Sequence, residues 1–167
     1  MRKLIIRKEQ YPGLELQMGD FFIIKGKLGE KKLIYKGGKE SEKWFVFGSK
    51  KVVRSFGSFL TEACEGVSYG FAKKMYLHGI GYRVWTNRKQ LLFQIGYNHL
   101  IKFSLPETMS AFAKKNRFVL FGLGKREVNQ IAQRLVWLKV PDSYKGKGVR
   151  YEHVFFFLKK SKDAKKS

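Results

Sequence analysis

The feature that most constrains the fold is an internal repeat with a period of about 75 residues. Phe47-Gly48 and Phe121-Gly122 each end an apolar stretch, and each pair precedes a segment with apolar residues three and four positions apart. The corresponding positions are Val53, Phe56 and Leu60 in the first segment and Val128, Ile131 and Leu135 in the second. A unit of this length that occurs twice indicates a duplicated domain rather than a solenoid, which needs at least three short units.

The spacing of apolar residues predicts one helix in each half of the chain. The first is predicted from Lys51 to Glu65 with Gly66 as its stop, and the second from Lys125 to Lys139. Short apolar runs predict strands at residues 4–6, 14–18, 20–25, 31–36, 43–47, 70–86, 91–96, 99–105 and 117–121. The glycine- and lysine-rich segments between them are predicted to be turns.

We therefore predict an α+β fold made of two tandem copies of a small antiparallel sheet covered by one helix. The polar stretch from Gly70 to Lys74 separates the halves, so the predicted domains are residues 1–74 and 75–167. The closing segment 159–167, KKSKDAKKS, is a run of charged residues without a large apolar side chain. It is predicted to be an arm that becomes ordered only when it meets phosphate.

The net charge of the chain indicates the kind of partner. The sequence has 35 Lys and Arg against 13 Asp and Glu, which gives a formal net charge of +22. A compact body with this charge repels itself, and a polyanion relieves the repulsion because each neutralised phosphate also releases condensed counterions. Nucleic acid is the first candidate and an anionic membrane surface the second. No apolar run approaches the roughly 18 residues of a spanning helix, so we expect no membrane insertion.

Residues suited to catalysis or metal binding do not cluster in the sequence. The acidic residues are dispersed, and His78, His99 and His153 lack the spacing of a metal site. Cys64, the single cysteine, lies on the apolar face of the first predicted helix and is expected in the core. Neither the GK[ST] signature of a nucleotide-binding phosphate loop nor a complete dinucleotide-binding glycine motif is present. We expect no enzyme activity, no metal and no cofactor; an RNA-processing enzyme and a free nucleic-acid chaperone are the alternatives.

The segment YKGKGVRY at residues 144–151 is the strongest candidate for a phosphate-binding site. Its two glycines let backbone amides approach a phosphate chain closely, and its two lysines and one arginine supply positive charge. The alternative is a flexible linker to a last, aromatic-rich strand. We expect contact with RNA, rather than the segment's own packing, to order it.

Two shorter motifs are weaker candidates. Tyr97 and His99 lie in a tight turn, GYNH, where an aromatic ring and an imidazole can meet RNA; the alternative is a turn that packs on its own sheet. Gly79 and Gly81 lie in a predicted hairpin, Gly79–Arg83, and mark a bulge, a close approach of another backbone or an RNA contact. Both motifs lie in the second half of the chain, as the basic segment does.

Five motifs in the second half resemble those of one known family. They are LHGIGYR at 77–83, IGYNH at 95–99, Pro106, FGLGK at 121–125 and P-x-x-YKGKGVRY at 141–151. In order and spacing they are similar to the universal large-subunit ribosomal protein six family, whereas the first half is similar only through IIKGKLGE. The resemblance implies two tandem copies of one sheet-and-helix fold and a structural role in the large ribosomal subunit.

The resemblance also implies a place and a set of contacts. It implies binding to large-subunit rRNA near the base of the sarcin-ricin stem, beside the landing site of translational GTPases and among other ribosomal proteins. The second domain is expected to make most of the RNA contact. The RNA-binding residues carried over to this chain are Tyr144, Lys145, Gly146, Lys147, Gly148, Arg150 and Tyr151, with Tyr97 and His99 as further candidates.

The composition bears on the compartment. Phe occurs 15 times and Lys is abundant, and codons for both can consist of A and T alone, which is typical of an AT-rich genome. Together with the divergent first half and the bacterial-like length, this bias predicts a mitochondrial ribosome. A plastid and a bacterial cytoplasm are the alternatives.

Overall fold

The structure is a computed structural model of the 167-residue chain. It describes residues 2–7, 13–18, 22–34, 37–40, 43–87 and 89–160. Within these ranges the chain forms short strands and two helices. In chain order they are β1 (Arg2–Arg7), β2 (Glu15–Met18), β3 (Phe22–Gly26), β4 (Gly29–Leu33), β5 (Gly37–Glu40), β6 (Lys43–Gly48), α1 (Lys50–Ser68), β7 (Phe71–His78), β8 (Arg83–Asn87), β9 (Gln90–Gln94), β10 (Ile101–Ser104), β11 (Met109–Lys114), β12 (Arg117–Gly122), α2 (Lys125–Leu138) and β13 (Gly148–Tyr151).

The chain divides into two compact units. The first comprises Met1–Phe71 with Leu123–Lys125, and the second comprises Ala72–Gly122 with Arg126–Ser167. The boundary between residues 74 and 75 stays a prediction. Within the described residues, neither helix is long and apolar enough to cross a membrane.

The strand order repeats from one unit to the other. The first unit has sheets β1-β6-β5 and β2-β3-β4, and the second has β7-β12-β11 and β8-β9-β10, so each strand of the second unit follows its counterpart by six strands. A helix follows the sixth strand of each set. This confirms the predicted α+β class and its duplication, with two small sheets in each unit where one was expected. Strand β13, which pairs with β7, has no counterpart among the described strands of the first unit.

Helix α1 is longer than the sequence indicates. The hydroxyl of Ser49 accepts a hydrogen bond from the Val52 N–H at 3.4 Å and caps the first turn. The predicted stop at Gly66 is wrong, because Gly66 is a buried helical residue and the helix runs on to Ser68. The true stop is Gly70, whose φ of +73° suits glycine and whose N–H donates to the Gly66 carbonyl at 3.0 Å.

The core of the first unit lies between α1 and the β2-β3-β4 sheet. Its buried members are Leu14, Leu16, Phe22, Ile24, Phe56, Leu60, Ala63, Cys64 and Val67. Cys64 is buried, as expected, and desolvation together with the nearby charge of Glu65 raises the pKa of its thiol to about 11. The thiol is therefore uncharged at neutral pH and packs as an apolar group.

The second unit differs from the prediction in three places. The hairpin expected at Gly79–Arg83 within residues 70–86 is instead two strands, β7 and β8, which belong to different sheets and are joined by a turn in which Gly81 has a φ of +76°. Strand β11 was not predicted. The last strand ends at Tyr151, so the aromatic run at residues 155–157 lies beyond it. Helix α2 is confirmed to within one residue, and Val128, Ile131, Ala132 and Leu135 form its buried face.

Candidate nucleic-acid interface

The segment PDSYKGKG, residues 141–148, connects α2 to β13 in the second unit, and we call it the basic loop. The residues on either side of the loop are bonded to each other, because the Val149 N–H donates to the Lys139 carbonyl at 2.8 Å, just beyond the end of the helix. At the carboxyl end of the loop, β13 also pairs antiparallel with β7, so that Gly148 lies opposite His78 and Arg150 opposite Tyr76. The loop is thus tied to the folded unit at both of its ends.

Asp142 organises the backbone of the basic loop. Its carboxylate accepts hydrogen bonds from the N–H groups of Lys145 at 3.0 Å and Tyr144 at 3.2 Å. Its carbonyl accepts from the Gly146 N–H at 2.7 Å, and its own N–H donates to the Lys147 carbonyl at 3.1 Å. The expectation that RNA contact orders this segment is therefore wrong, because hydrogen bonds within the protein hold its backbone.

These hydrogen bonds also set the charge of Asp142. The N–H groups of Lys145 and then Tyr144, which point at the carboxylate, lower the pKa of Asp142, and the charge of Lys145 lowers it further. The carboxylate is therefore ionised at neutral pH and keeps its hydrogen bonds there. A single acid thus holds a loop whose other ionisable groups, within residues 141–148, are cations and a tyrosine.

The two glycines of the loop pack against the protein. Gly146 has a φ of +69°, and a Cβ on it would lie 3.1 Å from Leu158 and 3.5 Å from the His78 ring. A Cβ on Gly148 would lie 2.6 Å from the Pro141 Cα and 2.7 Å from the Lys139 carbonyl oxygen. Both glycines are buried, so close packing within the fold gives each a structural reason to lack a side chain.

The other side chains of the basic loop project into solvent. Lys145 and Lys147 are exposed, and 58% of Tyr144 is exposed. Neither lysine forms an ion pair with a carboxylate in the part of the chain that the structure describes. The loop therefore presents two cations and an aromatic ring on a backbone that is already fixed, which is an arrangement suited to binding phosphate.

Arg150 and Tyr151 point to opposite faces of β13, as successive residues of a strand do. The Tyr151 hydroxyl donates to Gln133 of α2 at 3.2 Å, the Lys73 ammonium lies 4.9 Å from the ring centroid, and burial raises the pKa of the phenol. Arg150 lies on the other face, with its guanidinium carbon 5.5 Å from the centroid of the Tyr76 ring. The structure thus separates two residues that the sequence places side by side in one motif.

Tyr97 and His99 lie at the carboxyl end of α2. Their rings stack with centroids 6.1 Å apart and planes 24° apart. The Tyr97 hydroxyl donates to the Leu138 carbonyl at 3.3 Å, and the Lys139 ammonium lies 4.6 Å from the Tyr97 centroid. Both rings are exposed, and Lys139 connects this turn to the start of β13 through its bond from the Val149 N–H.

Lys139 and His78 are two neighbours of the predicted site that sequence reasoning missed. A signal existed for Lys139, because a cation just beyond the last residue of a helix is favoured by the helix dipole and lies next to the loop in the chain. None existed for His78, which approaches Gly146 only through the pairing of β13 with β7. Among the described residues, no three His, Cys, Asp or Glu side chains come together as they would to hold a metal ion.

The fold and this surface define a class: a duplicated α+β protein that presents a fixed, cationic and aromatic loop on its second unit. Comparison with known proteins identifies the family whose members this chain is similar to. The large ribosomal subunit protein uL6 of Thermodesulfovibrio yellowstonii is 39% identical over 111 residues, which is 65% of this chain and 62% of the relative. The uL6 proteins of Nitratiruptor sp. and Helicobacter pylori are 35% and 32% identical over 118 and 112 residues, or 71% and 67% of this chain.

These matches cover 66% or less of the length of each of the three relatives. No family model matches the chain. Over the matched part, the chain is similar to ribosomal proteins of the uL6 family at 32–39% identity. This is the family that the motifs of the second half resemble.

Proposed function

We propose that the protein is a structural, non-enzymatic component of the large ribosomal subunit and binds rRNA through its second domain, residues 75–167. The observation that carries the proposal is the exposure of Lys145 and Lys147 on a loop whose backbone Asp142 already holds. The similarity to proteins named as large ribosomal subunit proteins supports it. The net charge of +22 supports a polyanion as the partner.

The mechanism is electrostatic clamping of folded RNA. The two exposed lysines displace condensed counterions from phosphates, and because the loop backbone is already ordered, binding loses little further backbone conformational entropy. Tyr144 next to them supplies a ring that can stack on an exposed base or pack on ribose. Tyr97 and His99 extend this surface past the end of α2 with two stacked, exposed rings.

The proposed place is the base of the sarcin-ricin stem, beside the landing site of translational GTPases. The resemblance of the YKGKGVRY motif to its family supports this place, and it implies neighbouring ribosomal proteins as further partners. The first domain, residues 1–74, is proposed to contact such neighbours or RNA through its basic turns. Chemical footprinting of the rRNA with and without the protein tests the place, since protection should centre on that stem.

The proposed compartment is a mitochondrial ribosome. The abundance of Phe and Lys supports an AT-rich genome, and matches that cover only about two thirds of the chain support divergence. A plastid ribosome and a bacterial cytoplasm are the alternatives. Fractionation of the source cells, followed by detection of the protein in purified organelles, distinguishes the three.

Sedimentation of the native protein through a sucrose gradient at moderate salt tests the proposed function. We expect the protein in the large-subunit fractions. Sedimentation with DNA or with free RNA would instead support a nucleic-acid chaperone. Metal-dependent turnover of an RNA substrate by the purified protein would support an RNA-processing enzyme, and either result would contradict the structural role.

A further inference from the structure

A second surface of the second unit lies on the face of β13 that carries Arg150. It is a concave site of about 490 Å³. Its lining includes four aromatic rings, two guanidinium groups and one carboxylate: Tyr76, His78, Phe155, Phe156, Arg117, Arg150 and Glu152. The strand order β12-β7-β13 explains the set, because it places Arg117, Tyr76 and Arg150 on three adjacent strands.

The planar groups of this site converge on Tyr76. The Arg150 guanidinium carbon lies 5.5 Å from the Tyr76 centroid and 5.9 Å from the Phe156 centroid, and the Arg117 guanidinium carbon lies 5.9 Å from Tyr76. The Tyr76 hydroxyl accepts a hydrogen bond from the Asn116 side chain at 3.0 Å, which fixes the ring. The His78 ring lies 6.1 Å from Tyr76. The site therefore offers flat surfaces in fixed positions.

The charge of the site is positive. Glu152 pairs with Arg117 at 3.6 Å, and no carboxylate in the described part of the chain pairs with Arg150. A cationic site walled by rings suits a flat, electron-rich group attached to a polyanion. It suits an isolated phosphate less well, because a phosphate gains nothing from aromatic walls.

We propose that this concavity receives one unpaired RNA base, which stacks on the aromatic and guanidinium planes around Tyr76. Unpaired bases that stack on aromatic rings and on arginine planes are a recurring mode of RNA recognition. Arginine serves this role better than lysine because its guanidinium is planar and more weakly hydrated. The inference rests on the proposed RNA-binding function. In this account the basic loop binds phosphates and the concave site binds a base.

Matched variants test the inference on the full chain, with a transcript of the large-subunit rRNA from the same genome as the probe. Phe156→Leu removes a ring that lines the site. Phe157→Leu makes the same change in the next residue, which is 81% exposed, does not itself line the site and has its ring centroid 5.1 Å from that of the lining residue Phe155. We expect Phe156→Leu to raise Kd about 5-fold or more with an unchanged salt slope, and Phe157→Leu to change Kd less than about 2-fold.

The Arg150→Lys variant tests whether the ligand of the site is a base or a phosphate. It keeps the positive charge and removes the planar guanidinium group, so we expect a loss of affinity similar to that of Phe156→Leu. Full affinity with lysine at this position would assign the site to phosphate and overturn the inference. Unfolding curves of each variant identify any loss that comes from folding.

Ultraviolet cross-linking of the unaltered protein to the transcript gives a measurement independent of the variants. We expect nucleotide adducts on the tryptic peptides that span residues 75–83 and 151–159, which contain Tyr76 and Phe156. A salt-dependent complex without adducts on either peptide, or with equal losses for both Phe variants, would overturn this inference and leave the proposed function standing. Loss of affinity for large subunits without loss of affinity for the transcript would place a neighbouring protein in the site. Failure of the unaltered protein to bind the transcript would overturn both proposals.

Discussion

The Asp142 carboxylate accepts a hydrogen bond from the Lys145 backbone N–H at 3.0 Å. The acid and the cation are three residues apart, and the bond runs to the backbone of Lys145 while its ammonium remains exposed. The negatively charged Asp142 therefore holds the backbone of Lys145 without forming a close ion pair with its ammonium group. This relationship reverses the usual expectation for an acidic residue within a surface proposed to bind RNA.

The first prediction concerns the sign of the effect of Asp142→Ala on RNA affinity. The change makes the protein more positive by one charge, which by itself strengthens binding to a polyanion. It also removes the acceptor for two backbone N–H groups and loosens the loop. We expect the loosening to dominate and Kd for the rRNA transcript to rise about 3-fold or more, because loss of a side-chain acceptor for backbone N–H groups typically costs about 1 kcal/mol. Filter binding measures it.

Glu107→Ala is the control for charge. Glu107 is exposed and pairs with Lys89 at 3.5 Å, away from the basic loop in sequence, and its removal changes the net charge by the same amount. We expect equal or slightly tighter binding. If Asp142→Ala also binds more tightly, the positioning role of Asp142 is wrong.

The second prediction concerns pH. The pKa of Asp142 is lowered by hydrogen bonds from the Lys145 and Tyr144 N–H groups. A depressed folded-state pKa gives loop stability that is present above the ordinary aspartate value and is lost as pH falls through the folded-state value. An NMR titration of the Lys145 amide should therefore show a midpoint below the ordinary aspartate range, and Asp142→Asn should lack the step. A midpoint within or above that range would contradict the assignment.

The third prediction concerns the backbone of the loop. A Cβ on Gly148 would meet backbone atoms of Pro141 and Lys139 at 2.6–2.7 Å. Gly148→Ala should lower the free energy of unfolding by at least about 2 kcal/mol, as overpacking and strained φ together do. Gly81→Ala is the matched control, because its φ is also positive at +76° but nothing lies within 4 Å of a Cβ there. It should cost about 1 kcal/mol. Equal urea midpoints for the two variants would show that the clash at Gly148 is absent.

The helices and the duplication could be predicted because their signal is local and periodic. The buried residues of α2 are Val128, Ile131, Ala132 and Leu135, which the three- and four-residue spacing indicates directly. The end of α1 could not be predicted in this way. Gly66 and Gly70 are both plausible stops by residue type, and only the left-handed φ of Gly70 and its bonds to the preceding carbonyls decide between them.

The missed strands have weak patterns of their own. Strand β11, MSAFAK, buries Met109 and Ala111, and alanine carries little strand preference, so its pairing with β12 defines it. Strand β5, GGKE, has the composition of a turn and is a strand because it pairs with β6. In both cases tertiary pairing overrides local preference, which a single sequence does not display.

The candidate site was predictable as a set of residues and only in part as an arrangement. Charge and glycine content mark the basic loop, but the role of Asp142 depends on a turn that brings its carboxylate to two amides. The alternation of β13 separates Arg150 from Tyr151, and β-pairing brings Arg150 to Tyr76, 74 residues earlier in the chain. Contacts between residues so far apart in sequence come from the sheet, and a linear motif does not contain them.

The most direct test of the central claim is the salt dependence of rRNA binding by the Lys145→Ala/Lys147→Ala double variant. The control is Lys50→Ala/Lys51→Ala, which removes two exposed charges at the start of α1 in the first unit. Each phosphate contact contributes up to about one unit to the slope of log K against log salt. We predict a slope shallower by up to about two units for the loop variant and little change for the control. An unchanged slope for the loop variant, or an equal change in both, would contradict the claim that the basic loop anchors the RNA.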